Sequence, residues 1–293
     1  MALRVDNKLR LGGVYQMASR DPESLVRYCR TMGFAAAYDP GVEDRGQIEE
    51  IKAAFAENDI VTAETGAYGI NILEPDLAIR ERNIAEICRR LERAEMIGAL
   101  CCVAHGGSVS SGRWGAHNPA NFSEESFDTT VKIVQRIVDT VKPANAKLCL
   151  ETESRLLPDS PEVYLDLIKA VDRPLFQAHL DPVNITSNPR RYYFSGEFIR
   201  DCFAKLGPYI VSCHAKDVEM VRSAQVHFEE TFAGNGDIDF KTYIGELVKI
   251  RNDAPMMIEH VRGRQQVWAR DFIYEQAAAV GVPIRNAEYR EFR

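Results

Sequence analysis

The chain has 293 residues, 45% hydrophobic and 27% charged, which is ordinary globular composition with ample apolar material for a large core. A formal net charge of -7 gives a nucleic-acid partner no compositional support, and no apolar run approaches the ~18 residues of a membrane span. The N-terminus, Met1-Ala-Leu-Arg-Val-Asp-Asn-Lys8, lacks an apolar signal region, and the seven cysteines are odd in number and have no framework spacing, so a reducing cytoplasm is expected.

In chain order, Leu11-Gly-Gly-Val-Tyr15 reads as a first strand. Asp21 then offers an N-cap with Pro22 at the first helical position, for a helix over 25–32 that Gly33 ends. A second strand over 34–38, a helix over 47–58 carrying Ile48, Ile51 and Phe55 at helical spacing, and a third strand over 60–65 follow. The loop Gly66-Ala-Tyr-Gly-Ile-Asn71 leads to a long amphipathic helix over 76–97, a fourth strand over 99–105, and a long loop over 108–121 rich in Gly, Ser and Asn. Ser123 opens the next helix, which runs to about residue 141, where Pro143 closes it; a fifth strand ends at Glu151. A helix capped by Ser160 runs to 171 and a sixth strand ends at Asp181. The stretch 191–206 is helical, a seventh strand ends at His214, and a long loop runs to Gly234-Asn-Gly-Asp-Ile-Asp239. A helix over 240–251, an eighth strand ending at Glu259 and a last helix over 265–280 complete the chain.

Eight strand–helix units with no low-complexity linker predict a parallel sheet, and eight such units in this length match one closed (β/α)8 TIM barrel filling residues 1–293 as a single domain. The alternative, a doubly wound open sheet, lacks a Gly-x-Gly-x-x-Gly turn after the first strand. In a barrel the C-terminal strand ends converge on one mouth, so Glu151, Asp181, His214 and Glu259 would face one another. Three carboxylates and an imidazole form an oxygen-rich site for one divalent cation, with Mn²⁺ first and Mg²⁺, Co²⁺ or Zn²⁺ as alternatives. Each residue taken singly is equally well a solvated strand-end charge or a helix cap; it is the series of four that points to a site.

Leu-Glu at the fifth strand, Leu-Asp-Pro at the sixth, His-Ala-Lys-Asp at the seventh, Gly-Asn-Gly-Asp-Ile-Asp-Phe and Ile-Glu at the eighth resemble the xylose isomerase-like barrel superfamily over essentially the whole chain. That superfamily includes sugar isomerases and epimerases such as D-tagatose 3-epimerase, inosose dehydratase and endonuclease IV. The resemblance implies that Glu151, Asp181, His214 and Glu259 are metal ligands and that Glu151 and Glu259 are also the catalytic acid and base. It implies a metal-dependent sugar or polyol isomerase or epimerase that moves a proton beside a metal-bound carbonyl. Two departures stand against a simple ketose 3-epimerase: Asn184 replaces a histidine usual after the sixth strand, and Lys216-Asp217-Val-Glu219 lacks the arginine usual after the seventh. Endonuclease IV needs more histidines than this chain supplies, and only His105 resembles one of its ligands.

Further substrate-contact candidates at the mouth are His105, Trp114, Glu153, His179, Asn184, Lys216, Tyr68 and Asn71. For several a plainer reading competes: His179 as a barrel-core histidine, Glu153 as a loop charge, Trp114 as loop packing, Lys216 as a partner of Asp217. His117, His227 and His260 read as structural. The expected partner is a small carbohydrate, with no nucleic acid and no membrane, in a homo-oligomer. The other readings are a lyase on the same scaffold, either an inosose-type dehydratase or a C-glycoside deglycosidase with a small partner subunit, and a non-catalytic sugar-binding barrel.

Overall fold

Local signals set the element boundaries. In the computed structural model, which describes residues 7–290, the Asp21 carboxylate accepts from the Ser24 amide, Pro22 begins helix α1 (Pro22–Met32), and Gly33 closes it in the left-handed region at φ 68°. The same grammar of side-chain caps opens α2 (Arg45–Glu57) at Asp44, α3 (Leu77–Ile97) at Asp76, α4 (Glu124–Val141) at Ser123 and α5 (Pro161–Val171) at Ser160. These helices alternate with short parallel strands: β1 (Leu11–Gly13), β2 (Ala36–Tyr38), β3 (Val61–Ala67), β4 (Cys101–Ala104), β5 (Lys147–Glu151), β6 (Phe176–Leu180) and β7 (Ile210–Ala215).

After β7 the chain departs from the expected long loop. It forms an antiparallel hairpin, β8 (Asp217–Met220) with β9 (Phe228–Thr231), pairing Asp217 with Thr231 and Met220 with Phe228. The Asp217 carboxylate then accepts from the amides of Val218, Gly234 and Ile238, which ties the hairpin to the Gly234-Asn-Gly236 turn; a Cβ at Gly236 would meet Val218 O at 2.4 Å. Asp217 is therefore spent on backbone and does not pair with Lys216. The helical stretch before β7 is also two pieces, α6 (Pro189–Tyr193) and α7 (Ser195–Leu206), divided at Phe194. The helix α8 (Phe240–Leu247) ends four residues before the expected 251, because the chain must turn back under the barrel, where the Asn252 amide binds the carbonyls of Pro208 and Ile210. Strand β10 (Met256–Ile258) and α9 (Gln265–Ala279) complete the fold.

The eight parallel strands close in the order β1-β10-β7-β6-β5-β4-β3-β2. The barrel is thus the TIM type, with the helices packed outside and Leu11, Leu148, Phe176, Ile210 and Ile258 among the fully buried residues between the layers. Two strands slip register by one residue. Ala37 pairs with Thr62 but Tyr38 with Glu64, and Ala178 pairs with Ile210 but His179 with Ser212. Such bulges re-aim the side chains that follow them, here Glu64 on β3 and His214 on β7. Among the described residues no helix is long and apolar enough to cross a membrane.

Candidate metal centre

Glu151 and His214 lie at the ends of β5 and β7, and Asp181 and Glu259 directly follow β6 and β10; the four strands are consecutive neighbours around the barrel. Their side chains consequently converge from one arc of the mouth. One donor atom from each lies within 4.8 Å of the others. His214 Nδ1 is 3.0 Å from Glu151 Oε1, 3.0 Å from Glu259 Oε1 and 3.6 Å from Asp181 Oδ2. All four residues are buried.

A fifth group enters from the residue between β7 and β8. Lys216 is 2% exposed, and its ammonium lies 2.7 Å from Glu259 Oε1 and 2.9 Å from Asp181 Oδ2. Glu230 of β9 reaches it from the hairpin at 3.2 Å. Burial would raise the Glu151 and Asp181 carboxyls, but both are held below their usual range, Glu151 by His214, His105 and Lys216, and Asp181 chiefly by Lys216. Burial would lower the Lys216 ammonium, yet Asp181, Glu259 and Glu151 push it upward. Four buried carboxylates, counting Glu64 behind His214, are gathered around the Lys216 ammonium and the His214 imidazole, whose pKa Glu259, Glu64 and Glu151 raise against the effect of burial. Asp181 Oδ2 and Glu259 Oε1 are buried without a well-aligned hydrogen bond. Three oxygen donors and an imidazole nitrogen converging from one arc, with more carboxylates than cations around them, fit a divalent cation, which would settle the excess negative charge.

The outward oxygens of the two glutamates are disposed alike. Glu151 Oε1 meets His214 and the Asn184 amide, the latter at 3.0 Å, while Oε2 lies 3.3 Å from His105 Nε2. His105 Nδ1 accepts from the Gly69 amide at 3.3 Å, which leaves the ring proton on Nε2, facing Glu151. Glu259 Oε1 meets Lys216 and His214, while Oε2 lies 3.6 Å from His260 Nε2 at the rim. The turn after His105 must be glycine: a Cβ at Gly106 would meet Leu157 O at 1.7 Å, and Gly107 has φ 78°.

The remaining candidates separate into three groups. Asn184, Lys216 and His105 touch the cluster directly, as above. Trp114 and Tyr68 form a wall beside it: the Trp114 ring stacks on His105 at 4.1 Å, Arg155 lies over Trp114 at 5.6 Å, and Tyr68 lies 5.6 Å from His105. Glu153 sits behind, 3.5 Å from Arg155, with its carboxyl raised by burial. Asn71 and His179 are turned to other work. The Asn71 amide binds Ser108 O and accepts from the Ser108 and Leu73 amides, pinning the loop after β4. His179 is fully buried below the cluster, 3.1 Å from Glu64 Oε2 and edge-on to His214.

Two residues escape the strand-end rule. Glu64 lies inside β3, fully buried, with Oε1 2.9 Å from His214 Nε2. Burial would raise its carboxyl, but the two imidazoles outweigh this and hold it at about 2. An acid within a strand of small residues is its only signal in the sequence. His260, expected to be structural, stands at the rim at φ 50°, with Nδ1 2.5 Å from Glu230 Oε1, its pKa raised by that bond.

The xylose isomerase-like TIM barrel pattern matches residues 26–280. No curated protein sequence matches the chain. Among solved structures, D-psicose 3-epimerase with D-tagatose from Clostridium cellulolyticum H10 aligns with TM-score 0.64 and 17% identity over 93% of this chain and 98% of its own. The 3-keto-D-glucoside 4-epimerase from E. coli aligns with TM-score 0.63 and 18% identity over 92% and 100%. Endonuclease IV from Thermus thermophilus aligns with TM-score 0.69 and 14% identity over 92% and 99%. At these identities the likeness is one of fold. The pattern match over most of the chain, on a closed eight-stranded barrel, makes this protein a member of the xylose isomerase-like TIM barrel family.

Proposed function

We propose that the protein is a metal-dependent isomerase or epimerase that moves a proton beside the carbonyl of a small carbohydrate or polyol. One observation carries this reading: the glutamates at the two ends of the donor arc each turn one oxygen into the cluster and one away from it. A divalent cation held by Glu151, Asp181, His214 and Glu259 would polarise a carbonyl and a neighbouring hydroxyl and acidify the C–H between them. Glu151 and Glu259 then act as the proton acceptor and donor from opposite ends of the arc. His105, its proton facing Glu151, orients that carboxylate, and the Trp114–His105–Tyr68 wall offers a stacking surface for the apolar face of a sugar ring. Lys216 and Asn184 hold substrate oxygens or the carboxylates that flank them. Epimerases among the structural neighbours and the net charge of -7 support a sugar rather than a nucleic-acid substrate. Mn²⁺ is the proposed ion.

The test is elemental analysis of purified protein beside His214→Ala. About one divalent ion per chain in the wild type, lost in the variant, supports the reading, and reloading with Mn²⁺, Mg²⁺, Co²⁺ or Zn²⁺ ranks the ions. Product mass then decides the reaction: unchanged mass means isomerisation or epimerisation, loss of water means dehydration, and release of an aglycone means C-glycoside cleavage. Sugar binding without turnover under every metal would leave a binding protein.

A further inference from the structure

In the closed order of strands, β3 lies four steps from β7 in either direction, so the two are diametrically opposed. Glu64 nonetheless touches His214, reaching across the barrel interior to place Oε1 2.9 Å from Nε2. Its other oxygen lies 3.1 Å from Nε2 of His179 on β6. All three residues are at most 1% exposed. Barrel interiors are filled mainly by branched apolar side chains, and a carboxylate there is strongly disfavoured unless it is paired. The register slip at Ala63 falls just before Glu64, and the slip between β6 and β7 falls just before His179 and three residues before His214.

We propose that Glu64 is a positioning residue for the metal centre: its carboxylate accepts the Nε2 proton of His214 and so leaves Nδ1 to face the carboxylate arc. A histidine that binds a metal through one nitrogen is fixed by what the other nitrogen donates to. Here Nδ1 faces Glu151, Asp181 and Glu259, and Nε2 has Glu64. His179 Nε2 lies 3.1 Å from the second oxygen and its ring stands edge-on to the His214 ring at 4.2 Å, so both the carboxylate and the imidazole are crowded on that side. The inference rests on the reading of the four-residue arc as a metal site.

Two measurements test it. The first is the affinity for Mn²⁺, by competition with a chelator, in wild type, Glu64→Gln and Glu64→Leu, with thermal unfolding as the control for folding. Affinity about 10- to 100-fold weaker in a folded variant is expected; affinity within about twofold of wild type overturns the inference. The second is the ring-nitrogen spectrum of protein labelled with ¹⁵N-histidine, metal-free and loaded with diamagnetic Mg²⁺ or Zn²⁺, with His214 assigned by its loss in His214→Ala. A proton on His214 Nε2 that is protected from exchange in wild type and exposed in Glu64→Gln is expected. A bare Nε2, or an Nε2 proton indifferent to residue 64, overturns the inference. Two Mn²⁺ per chain with one lost in Glu64→Gln would make Glu64, His179 and His214 a second cation site instead and also overturn it. If wild type binds no metal the proposed function fails, while the ring proton still decides the Glu64–His214 bond.

Discussion

At the bottom of the barrel, before β1, Arg10 is 5% exposed and meets Asp59 at 2.9 Å and Asp253 at 3.0 Å. It also donates to the carbonyls of Ala35 and Asp59, and Arg285 joins the same two aspartates at 3.1 and 3.3 Å. Two cations and two anions close that network. At the mouth, Glu151, Asp181 and Glu259, with Glu64 beneath them and Glu230 beside them, outnumber the Lys216 ammonium and the His214 imidazole that they surround. A brace and a site differ in their charge balance. A balanced network among strand beginnings holds the barrel together, whereas an unbalanced one among strand ends calls for a cation from outside and is poised for chemistry.

The largest effect is expected at the two glutamates of the mouth. Glu151→Gln and Glu259→Gln are each expected to lower kcat about 10²- to 10⁴-fold on the substrate, with unfolding midpoints near wild type; steady-state kinetics with wild-type turnover in both variants would remove them from the chemistry. Arg10→Ala is expected to do the reverse. It should cost about 2 kcal/mol in urea unfolding, less than for a fully buried pair because Asp59 is half exposed, and leave Mn²⁺ affinity unchanged. Trp114→Ala should raise KM about 3- to 10-fold with little change in kcat, measured on the same substrate.

The smallest effect is on acid stability. Burial would raise the Asp59 carboxyl, but the hydrogen bond and charge of Arg10 hold it below its usual value. The folded chain therefore binds fewer protons there than the unfolded chain. Its contribution is present above the ordinary aspartate pKa of about 4 and is lost as the pH falls through the lower folded value. Unfolding curves of wild type and Asp59→Asn should converge as the pH drops below that window, and parallel curves would mean that the bottom network is not paired in solution.

Much of the molecule is legible from residue order. Asp21 with Pro22, Ser123 and Ser160 announce their helices through hydrogen-bonding chemistry that needs no distant partner, and Glu151, Asp181, His214 and Glu259 stand out because each ends an apolar run. The hairpin Asp217–Met220 with Phe228–Thr231 reads as loop in the sequence because its strands are short and polar and are held by pairing and by Asp217. Asn71 and His179 share the neighbourhood of the mouth in sequence, but only packing shows that one pins a loop and the other supports a carboxylate.

Residue order alone establishes the alternation of strand and helix, their caps, and the four donors that any closed barrel would gather at one end. Folding adds the company those donors keep: Lys216 between Asp181 and Glu259, His105 with its proton toward Glu151, and Glu64 reaching His214 from the opposite wall. Strand ends are found by local periodicity, but a contact across the barrel exists only once closure brings β3 and β7 face to face and a one-residue slip in each strand changes which side chains turn inward.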